Sequence, residues 1–151
     1  MRTSPFSWIT RLVTIAFTLS AIGCHESPGE DSSRIIGNGK MPNLAADSTG
    51  KVYITYGNGD SILCSHSTDA GKTFFAPELV SVLPDLVDYS MRGPQIALLK
   101  DAVLITACNK QGDIFSFTGN ASGKWSQAVK VNDIDTVAKE GLMALGADGD
   151  H

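Results

Sequence analysis

The sequence predicts an all-β fold assembled from repeated units of about 50 residues, and three observations carry that reading. The stretch Ser67-Thr68-Asp69-Ala70-Gly71-Lys72-Thr73-Phe74 returns 51 residues later as Thr118-Gly119-Asn120-Ala121-Ser122-Gly123-Lys124-Trp125. The segments on either side return as well, at offsets between 51 and 53, from Ser67 to Thr118 and from Gly59 to Gly112. No segment of the units holds the sustained 3.6-residue apolar period of a helix.

Each element of the first unit has a counterpart in the second. Pro42-Asn43-Leu44-Ala45 is echoed by Pro94-Gln95-Ile96-Ala97, and Val52-Tyr53-Ile54-Thr55-Tyr56 by Val103-Leu104-Ile105-Thr106-Ala107. These runs are rich in the β-branched and aromatic residues that fit a pleated sheet. Gly59-Asp60-Ser61-Ile62 matches Gly112-Asp113-Ile114-Phe115 and opens the third run of each unit. After the repeated turn, Pro77-Glu78-Leu79-Val80 matches Ala128-Val129-Lys130-Val131 as the fourth. Four short strands in about 50 residues is the size of one β-propeller blade. A third unit begins at Gly141-Leu142-Met143-Ala144-Leu145-Gly146-Ala147-Asp148-Gly149-Asp150-His151, which resembles Asn43 to Lys51. The expected architecture is therefore about two blades and the start of a third, an incomplete ring within 37–151. Such a piece leaves apolar faces and strand edges unpaired, so the reading expects a fragment of a longer propeller.

The repeated turn has its own chemistry. Ser67 and Asp69 carry short acceptors that reach neighbouring backbone amides, and Gly71 supplies a positive φ without a Cβ clash. Thr73 closes the motif and Phe74 is expected to bury a ring beside it. Asn120 and Trp125 take the places of Asp69 and Phe74 in the second copy. An Asp used in this way is a staple between the third and fourth strands rather than a catalyst.

Residues 1–23 read as an export signal: Arg2 and Arg11 give a positive start, and Leu12 to Ile22 an apolar and small-residue core too short to span a membrane. Ala21-Ile22-Gly23-Cys24 resembles a bacterial lipobox, which would make Cys24 a lipidated first residue of the mature chain; ordinary cleavage after Gly23 is the alternative. The polar tether that follows, within 24–36, is expected to hold the folded part off a membrane reached through the Cys24 anchor. The expected location is a cell-envelope lipoprotein, periplasmic or surface-exposed, with soluble secretion as the alternative.

Cys64 and Cys108 form the remaining pair, which exported proteins can join, and their places on different repeat strands leave the linkage open. Neither shows zinc-site spacing, and His25, His66 and His151 are scattered, so no metal and no cofactor is expected. The formal charge of −4, with no basic run after the signal, argues against nucleic acid as a partner.

The octet at Ser67 to Phe74 resembles the Asp-box, or BNR repeat, of the sialidase superfamily. The resemblance implies a propeller, but its members include glycoside hydrolases, sorting-receptor ectodomains and assembly factors, so it is weak for activity. Sialidases share an Arg-Ile-Pro on an inner strand, whose guanidinium pairs with the sialic acid carboxylate. Arg92-Gly93-Pro94 stands in that place in the second unit, and Lys40-Met41-Pro42 in the first, where Lys loses the planar two-point grip. The resemblance thus makes Arg92 the substrate-binding candidate and Asp113 the catalytic acid/base candidate, with Asp60 its counterpart. Both Asp residues follow Gly and equally fit plain turn chemistry. Family hydrolysis also needs two more Arg residues and a Tyr nucleophile with its Glu, which come from later blades. The expected function is a glycan- or protein-binding module, with an exo-α-sialidase-like hydrolase as the alternative.

Overall fold

A computed structural model describes residues 34–120 and 123–148. The export signal, Cys24 and residues 25–33 lie outside the described residues, as do Ala121, Ser122 and the Gly149–His151 end of the third unit. Among the described residues every regular element is a strand, so the all-β expectation holds.

Eight strands form two sheets. β1 (Lys40–Ala46), β2 (Val52–Asn58), β3 (Ser61–Ser67) and β4 (Glu78–Val82) make the first, in sequential antiparallel order. β5 (Gln95–Leu98), β6 (Ala102–Cys108), β7 (Ile114–Asn120) and β8 (Val129–Lys130) make the second in the same order. Each expected run of the two units is thus a strand, although the last is only two residues long. Gly141 to Asp148, expected to open a third unit, carries no regular structure. A lone strand has no ladder to satisfy its amides, and among the described residues nothing pairs with this one.

The core lies between the two sheets. On β6 the alternate residues Val103, Ile105 and Ala107 face the same way, because successive strand side chains point to opposite faces. Register adds Ile96 and Phe117, each directly opposite Ile105 on a flanking strand. Ile62 and Cys64 of β3 and Val80 of β4 come from the facing sheet. A bulge puts Val80 out of register, since Ile62 pairs with Ser81 but Leu63 with Leu79, and the extra residue turns inward.

The connector from β4 to β5 completes this core with Leu83 and Leu86 and bonds to both sheets. Leu83 N–H donates to Asp60 O at 2.8 Å, while Val87 N–H donates to Cys108 O at 2.9 Å. Asn43 joins the sheets at their first strands. Its Nδ2 donates to Gln95 Oε1 at 3.2 Å, and its Oδ1 accepts from Ile96 N–H at 3.2 Å. Asn43 and Gln95 are the matching residues of the two repeats, so the repeat is held together by its own equivalent positions.

Cys64 and Cys108 are both free and buried. Burial, with Glu78 adding a smaller push, raises the Cys64 thiol to about 12, and burial also raises Cys108. Phe117 is fully buried where the sheets meet. Phe117→Ala is expected to destabilise the fold by about 3–5 kcal/mol, through lost transfer energy and the cavity it leaves. Urea unfolding followed by intrinsic fluorescence checks this.

Candidate functional site

Four turns share one device. At Asp47, Asp69, Asn109 and Asn120 the side-chain Oδ1 accepts the backbone N–H four residues on, from Lys51, Thr73, Asp113 and Lys124, at 2.9, 2.8, 2.9 and 3.2 Å. In each, the residue's own carbonyl also accepts the N–H three residues on. Gly50, Gly112 and Gly123 stand at that third place with φ of 87°, 94° and 74°, which a Cβ would strain. The Asp69 turn shifts its glycine one place earlier, to Gly71, with Ala70 also left-handed at φ 60°.

The Asp69 turn engages both carboxylate oxygens. Ser67 Oγ donates to Asp69 Oδ1 at 2.7 Å and accepts the Gly71 N–H at 2.9 Å, and Thr73 Oγ1 donates to Asp69 Oδ2 at 2.6 Å. The Thr73 hydroxyl, then the Thr73 amide and Ser67, hold the carboxyl down to about 2. At Asn120 the second oxygen is replaced by nitrogen and Thr73 by Lys124, and the amide staple remains. Phe74 and Trp125 are half-buried rather than sealed. The Trp125 ring lies over Gly119, where a Cβ would come within 2.8 Å of it.

Asp60 and Asp113 also play one role twice. Asp60 Oδ1 accepts from Asp85 N–H at 3.0 Å, and Asp113 Oδ1 from Thr136 N–H at 2.9 Å. The two donors are matching residues in left-handed conformations, with φ of 58° and 56°. Each Asp therefore ties the start of its third strand to the segment leaving its fourth. Asp113 also accepts from Asn132 Nδ2 at 3.1 Å and pairs with Lys130 Nζ at 3.0 Å. The Thr136 amide first, then Asn132 and Lys130, hold its carboxyl down to about 2.

Arg92 is also engaged within the chain. Its Nε donates to Glu140 O, its Nη2 meets Glu140 Oε2 at 3.4 Å, and its guanidinium lies 5.9 Å from the Tyr89 ring centre. No hydrogen bond or ion pair joins it to Asp113; the structure does not bring the two candidates together. The Gly in Arg92-Gly93-Pro94 has a packing cause, since a Cβ at Gly93 would meet the Met41 Cβ at 2.4 Å. Among the described residues no cluster of His, Cys, Asp and Glu is arranged to hold a metal ion.

A different concavity opens at the far end of the sheets, beside the β1–β2 and β5–β6 turns. It encloses about 540 Å³ and is lined by Asp47, Lys51, Tyr53, Lys100, Asp101 and Asn120, among others. One lining residue, Tyr53, begins an aromatic ladder. Tyr53 stacks on His66 at 5.6 Å and His66 on Phe75 at 4.5 Å, with Lys51 Nζ 5.6 Å from the Tyr53 centre. Sequence reasoning missed this ladder. Tyr53 and His66 are direct cross-strand partners, and that register becomes visible only once β2 and β3 are paired.

Two outcomes follow from these bonds. Asp69 has its folded-state value below the ordinary 3.8, so its contribution is complete above that pH and is lost as pH falls toward about 2. Wild type is expected to melt above Asp69→Asn at neutral pH, and the gap to close across that acid window, as followed by circular dichroism. Asp113→Ala is expected to release residues 131–141 and raise tryptic cleavage at the exposed Lys139 severalfold, read by mass spectrometry.

No family model matches the sequence and no curated protein is found similar to it, so the Asp-box resemblance stands on the residues of this chain alone.

Proposed function

We propose that the chain is part of an Asp-box β-propeller serving as a glycan- or protein-binding module of the cell envelope, carried there by the export signal and held by a lipid on Cys24. The observation that carries the non-catalytic reading is the state of Asp113. A general acid must hold a proton near neutral pH, and a carboxyl at about 2 with three partners has none to give. Arg92, the residue matched to the carboxylate clamp, is likewise spent on Glu140.

The cleft beside Tyr53 supports the binding half of the reading. One aromatic ring, Tyr53, with the cationic Lys51 and Lys100 and the carboxylates of Asp47 and Asp101 at one concave site matches what a polar ligand with an apolar face needs.

The full chain is expected to release a fluorogenic sialoside no faster than buffer does. On an array of sialylated and neutral glycans it is expected to retain glycans, with retention cut about tenfold by Tyr53→Leu, which removes the ring lining the cleft, in line with loss of one aromatic stacking contact. Sialoside turnover abolished by Arg92→Ala would establish the hydrolase instead.

A further inference from the structure

The folded part holds two Asn-Gly pairs, Asn38-Gly39 and Asn58-Gly59, and the fold treats them differently. In such a pair the glycine amide nitrogen can attack the carbonyl carbon of the Asn side chain, because no Cβ shields it. A carbon–nitrogen bond forms, ammonia leaves and a succinimide ring remains. Water then opens the ring at either carbonyl, leaving Asp or isoaspartate. The reaction needs no catalyst, only an amide free of hydrogen bonds and a backbone able to turn toward the side chain.

Both pairs are exposed, so exposure does not separate them. Backbone freedom does. Gly59 sits at the tip of the β2–β3 hairpin, in a short loop closed by the Asn58–Ser61 pair. Its φ is 59°, a Cβ there would meet nothing within 4 Å, and among the described residues its N–H donates no hydrogen bond. Asn58 can therefore swing onto it in open solvent. Gly39 is wedged by contrast, since a Cβ would come within 2.2 Å of Tyr56 Cδ2 and 2.7 Å of Gly57 O. Tyr56 is itself buried, so the Asn38-Gly39 peptide cannot rotate without disturbing packed atoms.

The repeat adds a third case. Gln111-Gly112 takes the place of Asn58-Gly59 in the second sheet. Gln111 is longer by one methylene, so its ring would be larger and slower to close, and its Nε2 donates to Asp85 Oδ2 at 2.8 Å. Gly112 is packed as well, because a Cβ there would meet Lys139 N at 2.7 Å. Of the three pairs, the fold leaves only Asn58-Gly59 open.

We infer that Asn58 is the deamidation site of the folded chain, and that its isoaspartate product unfastens the β2–β3 turn from the β4–β5 connector. Isoaspartate carries the main chain through its side-chain carbon, so the loop gains one backbone atom. Asp60 holds the connector from that same loop: its carbonyl accepts Leu83 N–H at 2.8 Å and its Oδ1 accepts Asp85 N–H at 3.0 Å. A longer loop displaces both acceptors, and the core residues Leu83 and Leu86 are placed by them. The site lies within the first sheet's own hairpin and owes nothing to where the sequence ends. It is also independent of what the cleft binds.

Incubation of the folded full chain in mildly alkaline heavy-oxygen water tests this, since each ring opening leaves one labelled oxygen. Trypsin then separates the sites, with Asn38 in the peptide 35–40 and Asn58 in the peptide 52–72. Label is expected to enter 52–72 severalfold faster than 35–40, and the two at like rates when urea holds the chain unfolded. Asn58→Gln, which copies the second sheet at this place, is expected to fold as wild type does and to lose the label from 52–72. The isoaspartate form, separated by chromatography, is expected to exchange its Leu83 and Asp85 amide hydrogens severalfold faster than the unmodified chain, as read by NMR. Labelling of 35–40 as fast as 52–72 in the folded chain would overturn the inference. A difference that persists in urea would do so too, because sequence rather than fold would then set it. Unchanged exchange at Leu83 and Asp85 would overturn it equally.

Discussion

The structure depends on a short acceptor reaching one amide four residues downstream. At Asp47, Asp69, Asn109 and Asn120 this bond fixes where a strand stops and where the next begins. Strand side chains alternate faces, so a turn longer or shorter by one residue would send Ile105 and Ile62 to the wrong side. The apolar core is the larger source of energy, but it forms only if these turns deliver the correct face. Local polar geometry is therefore the condition under which hydrophobic burial operates here.

This division of labour also accounts for the fate of the acidic residues. Carboxylates in a β-rich chain have many backbone amides within reach, and hydrogen bonds to the ionised form hold that form in place. Asp69 and Asp113 are both drawn down this way, by different partners. Asp60 accepts a single amide at the matching place in the other sheet. An Asp following Gly at the start of a strand has two possible uses, and its position in the sequence does not separate them. Their partners do: Asp85 and Thr136 lie 25 and 23 residues further along the chain.

The legible part of the fold is the part with local causes. Val52 to Tyr56 and Val103 to Ala107 announce strands by composition, and the Ser67 octet announces a turn by its acceptors and glycine. The spacing Asx-x-x-Gly at Asp47, Asn109 and Asn120 was equally available as a signal, and it marks three further staples. What composition does not reveal is contact at a distance. Arg92 meets Glu140 across 48 residues, and nothing around either residue marks the other as its partner. The cleft has the same character, because Tyr53 and Lys100 come from different sheets and meet only after the sheets pack.

The unlinked cysteines have a consequence for how the sheets move. Cys64 belongs to the core between them, and a thiol raised to about 12 is almost wholly protonated at neutral pH. The thiolate is the reactive form, so neither oxidant nor alkylating agent can act on it until the sheets part and water enters. Its rate of modification is thus a clock for that opening, native to the sequence and needing no engineered label. In an oxidising compartment the same protection is a form of kinetic insulation: the thiol survives for as long as the packing of Phe117 and Ile62 around it does.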